Sequence, residues 1–427
     1  MNRVVSIGAL LLAVLGWAAP ARAVIGTLDQ VPSATLLLPY FEVDLANSQG
    51  VNTLLSINNA SASAVVAQIV VYGDLSVPTA AFNLYLTGYD VQTISMRDIL
   101  NGVLPQTSGA GGACSGVPLL PPSPVPPGFA AHMLAAHTGQ ASAFLGNLCA
   151  GRNVGDGIAR GYVVVNTLND CTLLFPGDPG YFVSGGLGLA SNQNVLWGDY
   201  FYVNPGQNFA QGSPLVHIEA APGVGIDASF GTYTADPETS TAGEYTFFGR
   251  YVAWTAADNR EPLATNFAVR FLNGGAFSGG TDLIVWRDSK VNQTPFTCPA
   301  LLGARPPWYP LGQEAIVIFD EQENPHIAPT IPIAPQPPFM GIIAFGAEAQ
   351  RAAVDGPTLP VPFTFGWIYL NLNTTNAVAG ANPPEDPAAA QAYVEAVHDA
   401  EGRFSLGYSA IQLDSATNAL HTAPGGI

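Results

Sequence analysis

Short apolar runs, rich in β-branched and aromatic residues and closed by Gly, Asn, Asp or Pro, recur along the chain. Thr53–Ile57, Val65–Tyr72, Gly161–Val165, Leu283–Trp286, Ala315–Phe319 and Gly366–Leu370 are of this kind, and the pattern predicts strands rather than helices. Several of them are continuously apolar, as expected for strands covered on both faces. Phe82–Leu86 partly alternates, which predicts one wet face. One helix is expected from about Pro387 to Ala400: Asp386 can cap it, Pro387 suits its first position, and Tyr393, Val394 and Val397 make an apolar stripe. A shorter helical piece is expected over Ala130–Ala136. Pro105–Gly128 and Ala328–Pro338, dense in Pro, read as loops. The fold class that follows is all-β.

The strand-like phrases also repeat in order. Thr35–Val43 resembles Thr246–Trp254, and Thr53–Ile57 answers to Thr265–Val269. Ile69–Asp74 answers to Leu283–Asp288, Ile94–Asp98 to Ile316–Asp320, Gly161–Asn166 to Gly366–Asn371, and Tyr200–Val203 more weakly to Tyr408–Ile411. A repeat of this length predicts two tandem, internally duplicated β-sandwich domains, residues 24–222 and 242–427, meeting near Gly223–Thr241. A Pro/Gly-rich, cysteine-bearing insertion at 105–160 belongs to the first half alone. A single interleaved double sheet is the alternative architecture. Asp74, Asp98, Asp288 and Asp320 recur at strand ends in both halves, where Asp commonly accepts backbone N–H bonds. Residues repeated by symmetry are expected to hold the fold.

Composition narrows the function. Of 427 residues only 10% are charged, against roughly a quarter in an ordinary domain. Thirteen basic residues, with Lys290 the one lysine, face 31 acidic ones, which leaves too little positive charge to track phosphates and excludes nucleic acid as a partner. The 48% hydrophobic content excludes a disordered chain. Outside the N-terminus no apolar run is long enough to cross a bilayer as a helix. At the N-terminus, Arg3, the apolar Val4–Trp17 run and Ala21-Arg22-Ala23 have the order of a signal peptide over residues 1–23, so the mature chain is expected to start at Val24. Export to the periplasm, cell surface or extracellular space is thus expected. Cys114, Cys149, Cys171 and Cys298 are even in number, which in an exported chain predicts two disulfides. Of three connectivities, Cys114–Cys149 with Cys171–Cys298 is favoured because the first pair shares one irregular segment.

Candidate chemistry is sparse. No nucleophile elbow, His-Glu-x-x-His motif or phosphate loop is present, and Gly185–Gly188 reads as a loop. Zinc is disfavoured because Cys-x-x-Cys is absent and His132 and His137 do not share a helical face. Calcium is a better cofactor candidate than zinc, through Asp320, Glu321, Glu323 and Asn324, although the spacing is not that of an EF-hand and a solvated acidic turn is the favoured reading of this cluster. Arg250, Arg260, Arg270, Arg287 and Lys290 cluster in the second half, interleaved with acids. They predict ion pairs between strands, or a site for an anionic sugar or carboxylate in which Arg260, Arg287 and Lys290 are the candidates. Trp197 and Trp308, near loops, are the candidate stacking platforms for sugar rings, whereas Trp254, Trp286 and Trp367 fall where core is expected. A carboxylate pair for glycoside hydrolysis could be drawn from Asp199, Glu219, Asp282, Glu314 and Glu321, with no separation readable from sequence.

The runs Leu196–Asn204, Trp254–Pro262, Val285–Lys290 and Gly312–Gln322 resemble a set of exported bacterial proteins of no assigned function. The resemblance implies an envelope or extracellular setting and supplies no catalytic or binding residues. The sequence therefore leads to a non-enzymatic exported β-sandwich protein acting in adhesion, matrix or glycan binding, with polysaccharide or other envelope proteins as partners. A secreted carbohydrate-active enzyme and a structural subunit of an extracellular assembly are the alternatives.

Overall fold

The computed structural model describes residues 31–107, 125–182, 188–220, 247–248, 260, 263–288, 294–298, 315–327, 331–332, 340–341, 345, 347–356, 359–372, 391–402 and 405–412. The expected signal peptide, the 223–241 boundary, Cys114, Trp254, Lys290 and Trp308 lie outside these residues.

In the first half the strands are β1 (Thr35–Asp44), β2 (Asn52–Asn59), β3 (Val65–Gly73), β4 (Pro78–Leu86), β5 (Val91–Ser95), β6 (Ile158–Leu168), β7 (Leu196–Asn204), β8 (Phe209–Pro214) and β9 (Val216–Ile218). Helices α1 (Met96–Leu100) and α2 (Phe129–His137) fall between β5 and β6. The second half supplies β10 (Asn266–Leu272), β11 (Gly280–Arg287), β12 (Ile316–Phe319), β13 (Pro325–Ile327), β14 (Ile331–Pro332), β15 (Met340–Gly341), β16 (Ala349–Ala353), β17 (Phe365–Asn371), β18 (Ala392–Asp399), β19 (Ser405–Ser409) and β20 (Ile411–Gln412). The fold is all-β, with antiparallel sheets stacked on apolar faces.

Four sheets make up most of it. In spatial order they are β5-β2-β7-β8, β4-β3-β6-β1-β9, β16-β11-β18-β19 and β13-β12-β17-β10-β20. The first two enclose one core, in which Leu55, Ile57, Tyr200 and Tyr202 meet Leu36, Val71 and Val163. The last two enclose another, in which Phe267, Val269 and Ile368 meet Leu283, Val285 and Val394. The sheet β16-β11-β18-β19 belongs to both: Ile284, Trp286, Tyr393 and Val397 enter the first core, while Leu283, Val285, Ala392 and Ala396 enter the second. Side-chain alternation along a strand makes that division possible.

The order of strand pairing recurs between the halves. β2 lies between β5 and β7 as β10 lies between β17 and β20, and β3 lies between β4 and β6 as β11 lies between β16 and β18. Register agrees: Tyr72 faces Tyr162 where Trp286 faces Tyr393, and Leu55 faces Ile94 where Phe267 faces Leu370. The sequence matches of Thr53–Ile57 to Thr265–Val269 and of Ile69–Asp74 to Leu283–Asp288 follow this pairing. Three others do not. β6 occupies the place of β18, not of the Gly366–Asn371 strand, β5 that of β17, not of β12, and Tyr200 faces Leu55 where Gln412, not Tyr408, faces Phe267. The reason is that the long excursion falls between β5 and β6 in the first half but between β11 and β16 in the second.

The expected helix from Pro387 to Ala400 is overturned: residues 392–399 are strand β18, paired with β11 and β19, and 387–390 lie outside the described residues. Tyr393 and Val397 sit on one face and Val394 on the other, so packing of both faces outweighs the local helical signal. Phe82–Leu86 also differs from expectation. Its polar member Asn83 is fully buried, because Asn83 donates to the Thr172 carbonyl at 3.0 Å and accepts from the Thr172 N–H. The short helix near 130–136 is α2.

Disulfide pairing is corrected as well. Cys149 bonds Cys298, their Cα atoms 5.0 Å apart, in place of the expected Cys114–Cys149 and Cys171–Cys298. The backbones of Cys149 and Phe296 exchange hydrogen bonds of 2.8 and 3.2 Å, which brings Cys298 to Cys149. Cys171 is also oxidised.

Polar groups buried between the halves are met across the junction. Tyr200 on β7 donates to Glu395 on β18, which also accepts from Gln211 and from Ser213. Tyr162 donates to Glu348 at 2.9 Å. Arg351 on β16 joins Asp282 at 2.6 Å to Glu42 of β1 at 3.2 Å. Burial holds the Glu395 carboxyl above the usual carboxylate range, against the lowering effect of its three donors.

Two outcomes are expected. The raised Glu395 pKa means that the folded state binds its proton more tightly than the unfolded chain, so this contribution is complete below the ordinary carboxylate pKa and is lost as pH rises through the raised value. Glu395→Gln should flatten the decline of Tm above about pH 4.3 in melts across pH 4–8; an unchanged slope would refute the assignment. Replacing Cys149 and Cys298 by serine opens a loop closed over 149 residues and should cost about 5 kcal/mol in denaturant unfolding.

Candidate functional site

β7 reads Leu-Trp-Gly-Asp-Tyr-Phe-Tyr-Val-Asn, and period-two alternation splits it cleanly. Leu196, Tyr200 and Tyr202 point into the first core. Trp197, Asp199 and Phe201 lie on the outer face, Trp197 and Asp199 half-buried and Phe201 exposed at 45%. Four residues of strand separate Trp197 from Phe201, about 13 Å.

The ring of Phe201 has a defined seat. Phe201 pairs with Gly212 of β8, and a Cβ at position 212 would overlap the ring. Glycine therefore lets the ring lie across the neighbouring strand, one face on backbone and the other toward solvent. On the other side β2 places Leu54 opposite Phe201, Ser56 opposite Asp199 and Asn58 opposite Trp197. Ser56 donates to Asp199 Oδ1 at 2.6 Å. Leu54, Ser56, Asp199 and Phe201, together with Thr93, Ser95 and Asp98, line a groove of about 490 Å³.

Asp98 reaches the groove because α1 is firmly set. Ser95 caps the helix by accepting the Asp98 N–H and also accepts from Asn52 at 3.2 Å. Arg97 donates to the carbonyls of Asn47, Ser48, Gly50 and Val51, which pins the β1–β2 loop to the helix. The groove thus combines an aromatic face, two carboxylates and three hydroxyls on rigid elements.

A second groove, of about 310 Å³, lies on the outer face of β10 and β17. Arg270, Phe365 and Trp367 line it with Asp320, Glu321 and Glu323. Arg270 faces Trp367 across the strands, its guanidinium carbon 4.8 Å from the ring centroid. Phe365 is exposed at 45%.

The residues picked from sequence fare unevenly. Trp197 is on the first groove's face, half-buried, its ring edge-to-face with His217. Arg260 and Arg287 are buried, which removes them from contact with a soluble anion. Arg260 donates to Thr35 Oγ1 at 2.5 Å and to the Ser191 carbonyl, with Phe182 and Phe248 against its guanidinium. Arg287 donates to the Leu372 carbonyl. Trp286 is core, as expected; Trp367 is half-buried on an outer face. Asp74 and Asp288 accept hydrogen bonds at strand ends, from Arg152 and Gln391.

The acidic turn closes on itself. Asp320 Oδ1 accepts the N–H groups of Gln322 and Asn324 and an amide hydrogen of Asn324. These donors bring the Asp320 carboxyl down to about 2. Glu321, Glu323 and Asn324 are exposed, and among the described residues no three His, Cys, Asp or Glu side chains converge as metal ligands. His132 and His137 are buried in α2, hydrogen-bonded to Ser142, Thr79 and the Arg160 carbonyl. Burial lowers both, His137 to about 4.

Phe201, Ser56, Thr93 and Phe365 were not singled out by sequence reasoning. The alternation in β7 carried the signal for Phe201, since it shares a parity with Trp197 and Asp199. No described helix is long and apolar enough to cross a membrane. No family model, no curated protein and no solved structure matches this chain, so the chemistry of the site is that of its own residues.

Proposed function

We propose that the protein is a non-enzymatic, exported polysaccharide-binding protein, and that neutral glycan lies on the outer face of β5-β2-β7-β8. The observation that carries this reading is the Phe201 ring seated over Gly212 beside the Ser56–Asp199 pair. A pyranose presents an apolar C–H face and a rim of hydroxyls. The face packs on an aromatic ring, and the rim donates to carboxylates while exchanging hydrogen bonds with Ser and Thr. A formal charge of −18 repels acidic polymers at low salt and selects neutral ones. The N-terminal pattern, the resemblance to exported bacterial proteins and the disulfide, a bond that persists in oxidising compartments, support export. The shared strand order supports descent of the two halves from one unit by duplication.

A second reading has one observation in its favour. Asp98 and Asp199 line the same groove, and glycoside hydrolysis uses two carboxylates flanking the scissile bond. Release of reducing ends from a retained polymer would move the assignment to an enzyme.

Affinity electrophoresis through gels of soluble β-glucan, galactomannan, mannan and polygalacturonate tests the proposal. Retardation by a neutral polymer is expected, with Phe201→Ala weakening that groove about tenfold. Gly212→Val should do the same by displacing the ring while Phe201 remains. Unchanged mobility in every gel would overturn the glycan reading, and light scattering would then test for a self-assembling subunit.

A further inference from the structure

We infer that the outer face of β10 and β17 is a second neutral-polysaccharide site, so that one chain bridges two polymer strands; this rests on the glycan reading of the first groove. β10, β17 and β20 occupy in the second half the places that β2, β5 and β7 occupy in the first. Both grooves therefore lie on outer sheets, each with its other face buried in a separate core. The side chains are not copies. In the first groove the aromatic residues stand on β7, whereas here Phe365, Trp367 and Tyr369 alternate along β17, spanning about 13 Å.

Each member has a distinct task. Tyr369 is held by donating to Asn266 at 3.0 Å. Trp367 carries Arg270 on its ring, which orients the guanidinium fork over the groove. Phe365, the most exposed of the three aromatics, offers the ring for a sugar's C–H face. Arg270 donates to hydroxyl oxygens and the carboxylates of Asp320, Glu321 and Glu323 accept from hydroxyl hydrogens, so neighbouring hydroxyls meet both kinds of partner in one groove. Three carboxylates against one guanidinium repel a uronate and leave a neutral hexose polymer as the fitting ligand.

Two sites on one chain convert binding into cross-linking. Mixing the protein with the neutral polymer that retards it should give turbidity that peaks at an intermediate ratio and falls when protein is in excess. Arg270→Ala with Phe365→Ala should abolish turbidity and keep retardation through the first groove. Phe201→Ala should weaken turbidity and leave retardation through the second. The triple variant should need at least about tenfold more polymer for half-saturation, because neither groove remains intact. Circular dichroism melts confirm that each variant folds, since all three side chains face outward.

A wild-type chain that is retarded but never turbid overturns the bridging inference while the first groove stands. So does a turbidity curve unchanged by Arg270→Ala with Phe365→Ala. Retardation by polygalacturonate alone overturns the neutral class for both grooves. Failure of every polymer to retard the wild-type chain overturns the glycan reading itself.

Discussion

Everything in this molecule depends on a central sheet that is shared between two cores. Its strands β11 and β18 are packed on both sides, so the polar groups they bury need partners inside the protein. Alternation sorts its side chains: Tyr393 and Val397 go to one core, Ala392, Val394 and Ala396 to the other. The alanines let β10 approach closely. Glu395 and Arg351 break the apolar pattern, and both are answered from the first half, by Tyr200, Gln211 and Ser213 and by Glu42. Removing one partner while the halves stay together leaves a buried group unpaired, which is the costly case. The two outer sheets are left with one buried face each, and exposed rings occur on their other faces.

The shortage of basic residues makes sense in this frame. Arg97 gathers four loop carbonyls. Arg152 fastens Asp74, Arg160 pairs with Asp156, and Arg351 spans Asp282 and Glu42. Arg260 is buried between Phe rings and Thr35. These cations hold loops and strands together, and the surface is left acidic. Arg270 differs in being exposed and stacked on an aromatic ring.

How far the sequence could be read follows from which forces are local. The strands at 53–57, 65–72, 161–165, 283–286, 315–319 and 366–370 were legible because β-branched runs bounded by turn residues leave little alternative. Residues 392–399 were not, because Ala, Tyr, Val and Glu carry a helical stripe as readily as two strand faces, and only the neighbours β11 and β19 decide between them. The shared order of strand pairing is legible at β2–β10 and β3–β11, where no insertion intervenes, and not beyond the long excursions. Trp197 and Asp199 are legible separately, one for stacking and one for acidity, whereas the seat of Phe201 between β2 and β8 is a glycine on another strand that no local pattern links to it. Arg260 and Arg287 were misplaced because charge marks a residue as polar but says nothing of depth.

The bond between Cys149 and Cys298 has a consequence in time as well as in space. Synthesis proceeds from the N-terminus, so Cys114, Cys149 and Cys171 all exist before Cys298 does. Cys149 can meet Cys114 or Cys171 across a shorter stretch of chain than its native partner, and thiol–disulfide exchange makes such early pairs easy to form and to undo. Cys149 must therefore wait, or be released from a premature partner, until the segment carrying Phe296 arrives and pairs with its backbone. Closure of this bond therefore requires that the second half has already reached the first.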